Sequence, residues 1–212
     1  MIRLFFVGDG QRDAVTVPRL VEGILGVTIN AETDNWQDLR LAGGGYPRKF
    51  LYAMRRAKAR GLAGIVATVD TDRDRNKLRL RELRKAREEE RSRLPAFPAA
   101  IGQADPHGEA WLLDDPVAVR AALDLAATVE IGTVRRTKDP KEELETLRRA
   151  SPRSGDRLLD LLTNIARAVQ SHRCVHARET GFHAFEDEVK MELGLVASEC
   201  GPDCRCGDAC AP

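Results

Sequence analysis

The sequence predicts an α/β protein with a mainly parallel central sheet flanked by helices, a helical C-terminal half and a short cysteine-rich tail. Short apolar, β-branched runs alternate with helical patterns up to about residue 101, and only helical patterns follow. The run Ile65–Val69 is apolar at nearly every position, which is typical of a parallel strand buried on both faces. We expect residues 1–127 to form the α/β core, 128–197 a helical part of the same domain, and 198–212 a tail.

The composition predicts a soluble globular protein with a substantial core. The chain has 212 residues, of which 42% are apolar and 32% are charged, and this length is enough for one domain. The formal net charge of +1 argues neither for nor against a polyanionic partner. No apolar run approaches the roughly 20 residues of a membrane helix, and the N-terminus lacks a secretory pattern. We therefore expect a cytoplasmic protein without a membrane partner.

Hydrophobic periodicity and turn residues place the individual elements. The expected strands are Ile2–Val7, Trp36–Leu41, Ile65–Val69 and Pro95–Ile101. The helices expected between them are Ala14–Leu25, Tyr46–Arg60 and Arg73–Arg93. In the C-terminal half, helices are expected from His107, from Pro116, from the loop Thr137–Glu142 to Arg149, over Asp156–Ser171 and over Phe182–Leu195.

Three carboxylates follow the third predicted strand. Asp70, Asp72 and Asp74 leave its carboxyl end, where open α/β sheets place their ligands. Carboxylates this close repel one another unless a cation or water screens them. A hard cation such as Mg²⁺, bound through one or two carboxylates and water, would remove that repulsion. The alternative is a solvated loop in which Asp72 or Asp74 caps the next helix.

Two more carboxylates surround a glycine turn after the first strand. Gly8 and Gly10 permit a tight turn and a close approach of the backbone to a ligand. Asp9 would leave the strand end, and Asp13 would lie at the start of the following helix. The alternatives are a turn residue at Asp9 and a helix N-cap at Asp13.

The segment Arg73–Arg93 contains ten basic and five acidic residues. One interpretation is a solvated helix with ion pairs four residues apart. The other is a basic surface for phosphates whose first turns lie beside the carboxylates. The second interpretation makes Arg73, Arg75 and Lys77 candidate nucleic-acid contacts.

The two acidic segments together resemble the Toprim domain, which topoisomerases, bacterial primases, small ribonucleases and overcoming-lysogenization-defect (OLD) nucleases share. The matching stretches are Val7-Gly-Asp-Gly-Gln-Arg-Asp13 and Val69-Asp-Thr-Asp-Arg-Asp74. The family usually has glutamate at the position of Asp9. The resemblance implies a Mg²⁺ or Mn²⁺ site with Asp70 and Asp72 as primary ligands and Asp9 as a ligand or general acid/base. The further candidate ligands are Asp13 and Asp74.

The second half resembles a narrower group, the Toprim-like DUF4276 proteins, which are related to OLD-type nucleases. The matching residues are Glu109-Ala-Trp-Leu-Leu-Asp114, Asp139-Pro-Lys141 and Phe182-His-Ala-Phe185. Glu109 is a candidate ligand or, alternatively, a residue favoured by a helix N-terminus. Lys141 is a candidate for stabilising charge on a transition-state phosphate or, alternatively, an exposed loop lysine. The resemblance also implies an ATPase partner and a role in phage defence.

Four of the five cysteines lie in the last 13 residues. Cys200, Cys204, Cys206 and Cys210 have a CxxxCxCxxxC spacing, and four thiolates could hold one tetrahedral Zn²⁺. A disordered reactive tail is the alternative.

Three functions fit these patterns. The first is a metal-dependent nuclease of Toprim type with water as the nucleophile, because neither Tyr46 nor Tyr52 has an obvious nucleophile position. The second is a glycosyltransferase, because an Asp-x-Asp after a strand can also hold a metal and a nucleotide diphosphate. The third is a catalytically weak module that binds nucleic acid or regulates an ATPase, which the shorter acid at Asp9 favours.

Overall fold

Four strands form a parallel sheet at the centre of the molecule. The structure, a computed structural model, describes residues 1–39, 44–71, 78–92, 97–132 and 139–199. The strands of this part of the chain are β1 (Ile2–Gly8), β2 (Ile29–Asn35), β3 (Gly64–Asp70) and β4 (Ala99–Ala104). Their order is β2-β1-β3-β4, and each neighbouring pair is parallel. The predicted α/β class with a parallel sheet is confirmed.

Helices cover both faces of this sheet. They are α1 (Gln11–Leu25), α2 (Tyr46–Ala59), α3 (Leu78–Arg91), α4 (Glu109–Leu113), α5 (Pro116–Leu123), α6 (Pro140–Ala150), α7 (Leu158–Ala168) and α8 (Phe182–Glu199). Helix α1 leads from β1 to β2, and α2 leads from β2 to β3. Because β2 and β3 lie on opposite sides of β1, right-handed connections place α1 and α2 on opposite faces.

The side chains of each strand alternate between two apolar layers. On β1, Leu4 and Phe6 face the layer that contains α1, whereas Phe5 and Val7 face the layer that contains α2 and α3. Every residue of β3 is buried, as its continuous apolar sequence predicts. Residues from α4 to α8 all join the α1 layer, so the helical C-terminal half packs on one face of the sheet.

Helix α8 packs closely on strand β4. A β-carbon at Gly102 would lie 2.5 Å from Cδ2 of Phe185, so the contact requires glycine. The Phe185 ring stacks on the buried Trp111 ring with 4.8 Å between their centroids. This contact joins α4, α8 and the sheet into one packed unit.

Two helices of the second half begin at aspartate caps, as their Asp-Pro sequences predict. The carboxylate of Asp115 accepts a hydrogen bond from the backbone N–H of Ala118 at 3.0 Å. The carboxylate of Asp139 accepts one from the N–H of Lys141 at 2.8 Å. The second cap fixes the chain direction at Lys141, a candidate site residue.

The predicted second strand was wrong. The strand is Ile29–Asn35, and Trp36 follows it as a buried residue whose indole N–H donates to the carbonyl of Thr68 at 2.8 Å. Strand β2 lies at the edge of the sheet and fully buries only Ile29, so it lacks the apolar run that identifies a central strand. Strand β4 begins at Ala99, and Pro95 and Ala96 of the predicted fourth strand lie outside the described residues.

Charged residues of α3 make ion pairs with other helices. Glu90 is buried and accepts two hydrogen bonds from Arg55 of α2, at 2.7 and 2.8 Å. Arg87 is buried and pairs with Glu188 of α8. One pair four residues apart, Lys85–Glu89 at 3.8 Å, also occurs. The charged side chains of α3 therefore bind it to α2 and α8. Neither interpretation of its sequence anticipated these contacts.

Among the helices of the described ranges, none is long and apolar enough to cross a membrane.

Candidate metal and phosphate site

A crevice opens where the order of strands changes direction. The chain passes from β1 to β2 on one side and later to β3 on the other. In open α/β sheets such a point binds ligands outside the carboxyl ends of the two central strands. Asp9 and Asp13 follow β1, and Asp70 ends β3. The structure thus brings three of the predicted acidic residues to one edge of the sheet.

Asp13 holds the turn that follows β1. Its Oδ2 accepts hydrogen bonds from the backbone N–H groups of Asp9 at 2.7 Å and Gly10 at 3.1 Å. Helix α1 begins at Gln11, so Asp13 lies in the first turn and is not the N-cap. A β-carbon at Gly8 would lie 2.5 Å from the Asp13 β-carbon. The glycine therefore lets the carboxylate fold back over the strand end.

Asp9 links the turn to the neighbouring strand. Its Oδ2 accepts the backbone N–H of Asp70 at 2.7 Å. Its Oδ1 accepts the hydroxyl of Tyr46 at 3.3 Å. These bonds fix the shorter acid against β3 and the start of α2.

Asp70 lies between groups from two other elements. Its Oδ1 accepts the backbone N–H of Gly108 at 3.1 Å, and its Oδ2 lies 3.0 Å from Nδ1 of His107. The ammonium group of Lys141 lies 3.8 Å from the same Oδ2. Lys141 is the second residue of α6, and its side chain faces this carboxylate. The sequence had suggested either an exposed loop lysine or a contact with a transition-state phosphate.

Two of these carboxyl groups bind protons unusually tightly. Burial, aided by the nearby charge of Asp70, raises the pKa of Asp13 from its ordinary 3.8 to about 7. Burial also raises the pKa of Asp70 to about 6, and the Asp9 charge adds to this rise, whereas His107 and Lys141 oppose it. At neutral pH this edge of the sheet therefore carries acidic groups that a proton or a cation would stabilise.

A cavity of about 540 Å³ lies over the acidic edge. Its polar wall includes Asp9, Asp13, Asp70, Glu109, Arg12 and Lys141. Leu158 and Leu159, at the start of α7, form an apolar wall. The volume lies within the range of small-ligand pockets, about 300–1,000 Å³.

Glu109 forms an ion pair with Arg12, a cationic side chain of the cavity. Its buried carboxylate accepts a hydrogen bond from the Arg12 guanidinium at 2.8 Å. A second carboxylate, that of Glu145, lies 3.7 Å from the same guanidinium. In this arrangement Glu109 orients Arg12, a role that the sequence did not suggest.

Several predicted ligands lie outside the described residues. They are Asp72 and Asp74 of the acidic run, the basic residues Arg73, Arg75 and Lys77, and the four tail cysteines Cys200, Cys204, Cys206 and Cys210. Within the residues that the structure does describe, no group of three or more His, Cys, Asp or Glu side chains could hold a metal ion. The five-aspartate cation site and the zinc tail therefore stay predictions.

Three residues at this edge were not assigned to the site from the sequence. His107 contacts the Asp70 carboxylate, Tyr46 donates to Asp9, and Arg79 donates to the carbonyl of Asp70 at 3.0 Å. His107 follows β4, and Tyr46 starts the helix after β2. The available signal was positional, because segments that follow parallel strands meet at the carboxyl edge.

The fold and the crevice define a doubly wound α/β protein. At its topological switch point lies a site of acidic side chains, flanked by the basic side chains of Arg12 and Lys141. Comparisons of the chain with models of protein families, with curated proteins and with solved structures gave no match.

Proposed function

We propose that this chain is a divalent-metal-dependent nuclease of Toprim type that hydrolyses phosphodiester bonds in DNA or RNA. One observation carries the proposal: acidic groups from β1–α1 and β3 share a cavity with Arg12 and Lys141. Carboxylates are suitable ligands for Mg²⁺ or Mn²⁺. The cationic side chains of Arg12 and Lys141 are suited to binding a phosphate.

The donor chemistry of the site fits a hard divalent cation. Burial raises the pKa values of Asp13 and Asp70, and a neighbouring carboxylate adds to each rise, that of Asp70 at Asp13 and that of Asp9 at Asp70. A cation would relieve this cost, as a proton does at lower pH. When bound, Mg²⁺ or Mn²⁺ would polarise a phosphate oxygen and activate water. Asp70 and Asp13 are the described residues that we assign to hold it, with Asp72 and Asp74 as further candidates.

The chain's own cations would bind and orient the phosphate. Lys141 stands 3.8 Å from Asp70, which places a positive charge beside the assigned metal ligand. Arg12 is held by Glu109 and Glu145 and is one-third exposed, so it can contact a substrate without a large rearrangement. Both groups are suited to stabilising negative charge that develops on the phosphate.

Cleavage of labelled DNA and RNA with Mg²⁺ or Mn²⁺ tests the proposal. Asp70→Asn should lower the rate by at least about 100-fold, because even an outer partner of a metal ligand contributes about 10- to 100-fold. Asp187→Asn is the matched control, since Asp187 is an exposed carboxylate on α8. Circular dichroism checks that each variant is folded. Equal cleavage by Asp70→Asn and wild type would refute the assignment.

A second candidate is a catalytically weak module that binds nucleic acid or regulates an ATPase partner. The hydrogen bonds of Asp9 favour it, because both carboxylate oxygens of the shortened acid accept protein donors. Metal-independent binding of DNA or RNA, without cleavage, would support this candidate over the nuclease. The ATPase partner and the phage-defence role derive from the family resemblance alone.

A further inference from the structure

One wall of the cavity is apolar, and metal and phosphate chemistry does not require it. Leu158 and Leu159 are the first two residues of α7 and line the same cavity as the acidic groups. Both are half-buried and pack against the core on their inner side. Their remaining surface faces a cavity whose other walls carry charge, so a ligand that fills it needs one apolar face.

We infer that the cavity accepts a single unpaired nucleotide, with its base against Leu158 and Leu159 and its phosphate toward Arg12 and Lys141. The inference rests on the proposed function. A nucleobase has an apolar face and is joined to a phosphate, so one nucleotide contains a group for the apolar part of the lining and a group for its cationic side chains. A volume of about 540 Å³ suits one such small unit.

The concave shape selects against duplex substrates. A paired base is stacked on its neighbours, and an enzyme must unpair and extrude it before it can enter a pocket. A single strand or a frayed end avoids that cost. Contacts with the face of a base tolerate any sequence, because every base has one. The substrate class is therefore single-stranded nucleic acid or a strand end, without strong sequence preference.

Arg12 is placed to fix the phosphate end of this nucleotide. Its guanidinium lies 2.8 Å from Glu109 and 3.7 Å from Glu145, so two carboxylates hold it in one orientation. It extends from the first turn of α1, close to the acidic turn after β1. We therefore assign the arginine to the phosphate of the bound unit and the two leucines to its base.

Cleavage of three matched substrates, with Mg²⁺ or Mn²⁺, tests the inference. They are a labelled single strand, the same strand in a blunt duplex, and the same strand with one abasic position. Wild type should cleave the single strand with a kcat/KM at least about tenfold above that of the duplex. In the double variant Leu158→Ala/Leu159→Ala, KM for the single strand should rise by roughly tenfold, which lies within the range for losing one aromatic side chain that stacks on a base. Its kcat should change by less than about twofold.

The abasic strand separates base contact from general damage. Wild type should cleave poorly at the abasic position, whereas the double variant should no longer distinguish it from an intact one. Leu195→Ala, an exposed leucine on α8 that is 77% accessible, is the control and should behave as wild type. Leu158→Ala and Leu159→Ala alone serve if the double variant does not fold.

The outcomes separate this inference from the proposed function. If cleavage occurs but duplex and single strand are cut equally, or the leucine variants keep their KM, the inference is overturned and the nuclease stands. If nothing is cleaved, the nuclease proposal fails. Calorimetry with deoxyadenosine 5′-monophosphate and Mg²⁺ then decides the inference: binding that the leucine variants weaken supports it, and no binding at millimolar nucleotide overturns it.

Discussion

Replacing Asp13 by asparagine should stabilise the metal-free protein at alkaline pH and have little effect in acid. The carboxyl group of Asp13 is buried beside Asp70, and its pKa is about 7 instead of the ordinary 3.8. Asparagine keeps an oxygen for the N–H groups of Asp9 and Gly10, which Asp13 now accepts, but carries no charge. The variant therefore removes the buried charge and preserves the turn.

The raised pKa sets the size and the sign of the effect. The native pKa lies roughly three pH units above the ordinary value, at about 1.4 kcal/mol for each. Ionising Asp13 thus lowers the free energy of unfolding by up to about 4 kcal/mol. Because the folded state keeps the proton longer, this loss is absent below about pH 4, grows as pH rises and is complete above about pH 7. The pKa of about 7 already includes the hydrogen bonds that the ionised carboxylate accepts. Because asparagine resembles the protonated acid, the variant should be more stable than wild type by up to about 4 kcal/mol at pH 8.

Urea unfolding followed by circular dichroism, at pH 5 and pH 8 with a chelator present, measures this difference. Asp13→Asn should lose less stability than wild type between the two pH values. Glu82→Gln, at an exposed position on α3, should show the wild-type pH dependence. If Asp13→Asn and wild type lose the same free energy of unfolding between pH 5 and pH 8, the buried charge does not control stability and the reasoning fails.

Two further predictions concern the metal and the packing. Mg²⁺ should raise the melting temperature more at pH 8 than at pH 5, because protons compete with the metal for Asp13 and Asp70. At a Mg²⁺ concentration of 100 times its Kd, the free energy of unfolding should rise by about 2.7 kcal/mol. If differential scanning fluorimetry shows the same increase in melting temperature at both pH values, the metal binds elsewhere. Gly102→Ala should lower the free energy of unfolding, measured in urea, by about 1–3 kcal/mol, because the new β-carbon would lie 2.5 Å from Cδ2 of Phe185. If the variant has the wild-type unfolding midpoint, helix α8 moves aside without cost.

Much of the candidate site could be located in the sequence, but its contacts could not. Asp9 and Asp70 were predictable because each follows an apolar strand, and parallel strands end at one edge. The pairing of Asp9 with the N–H of Asp70, and of Asp70 with His107, joins residues 61 and 37 positions apart. No local pattern encodes such distances, so the sequence did not assign His107 or Tyr46 to the site.

The sequence by itself determined the elements whose signals are local. The apolar run of β3 and the Asp-Pro starts of α5 and α6 depend on neighbours a few residues away, and the structure has all three. The tertiary structure alone decided that Ile29–Asn35 is the strand beside β1, since an edge strand buries too little to show an apolar pattern. It also decided the order β2-β1-β3-β4. That order places the acidic turn, the end of β3 and the leucines of α7 around one cavity, because strand neighbours are chosen by packing over the whole chain.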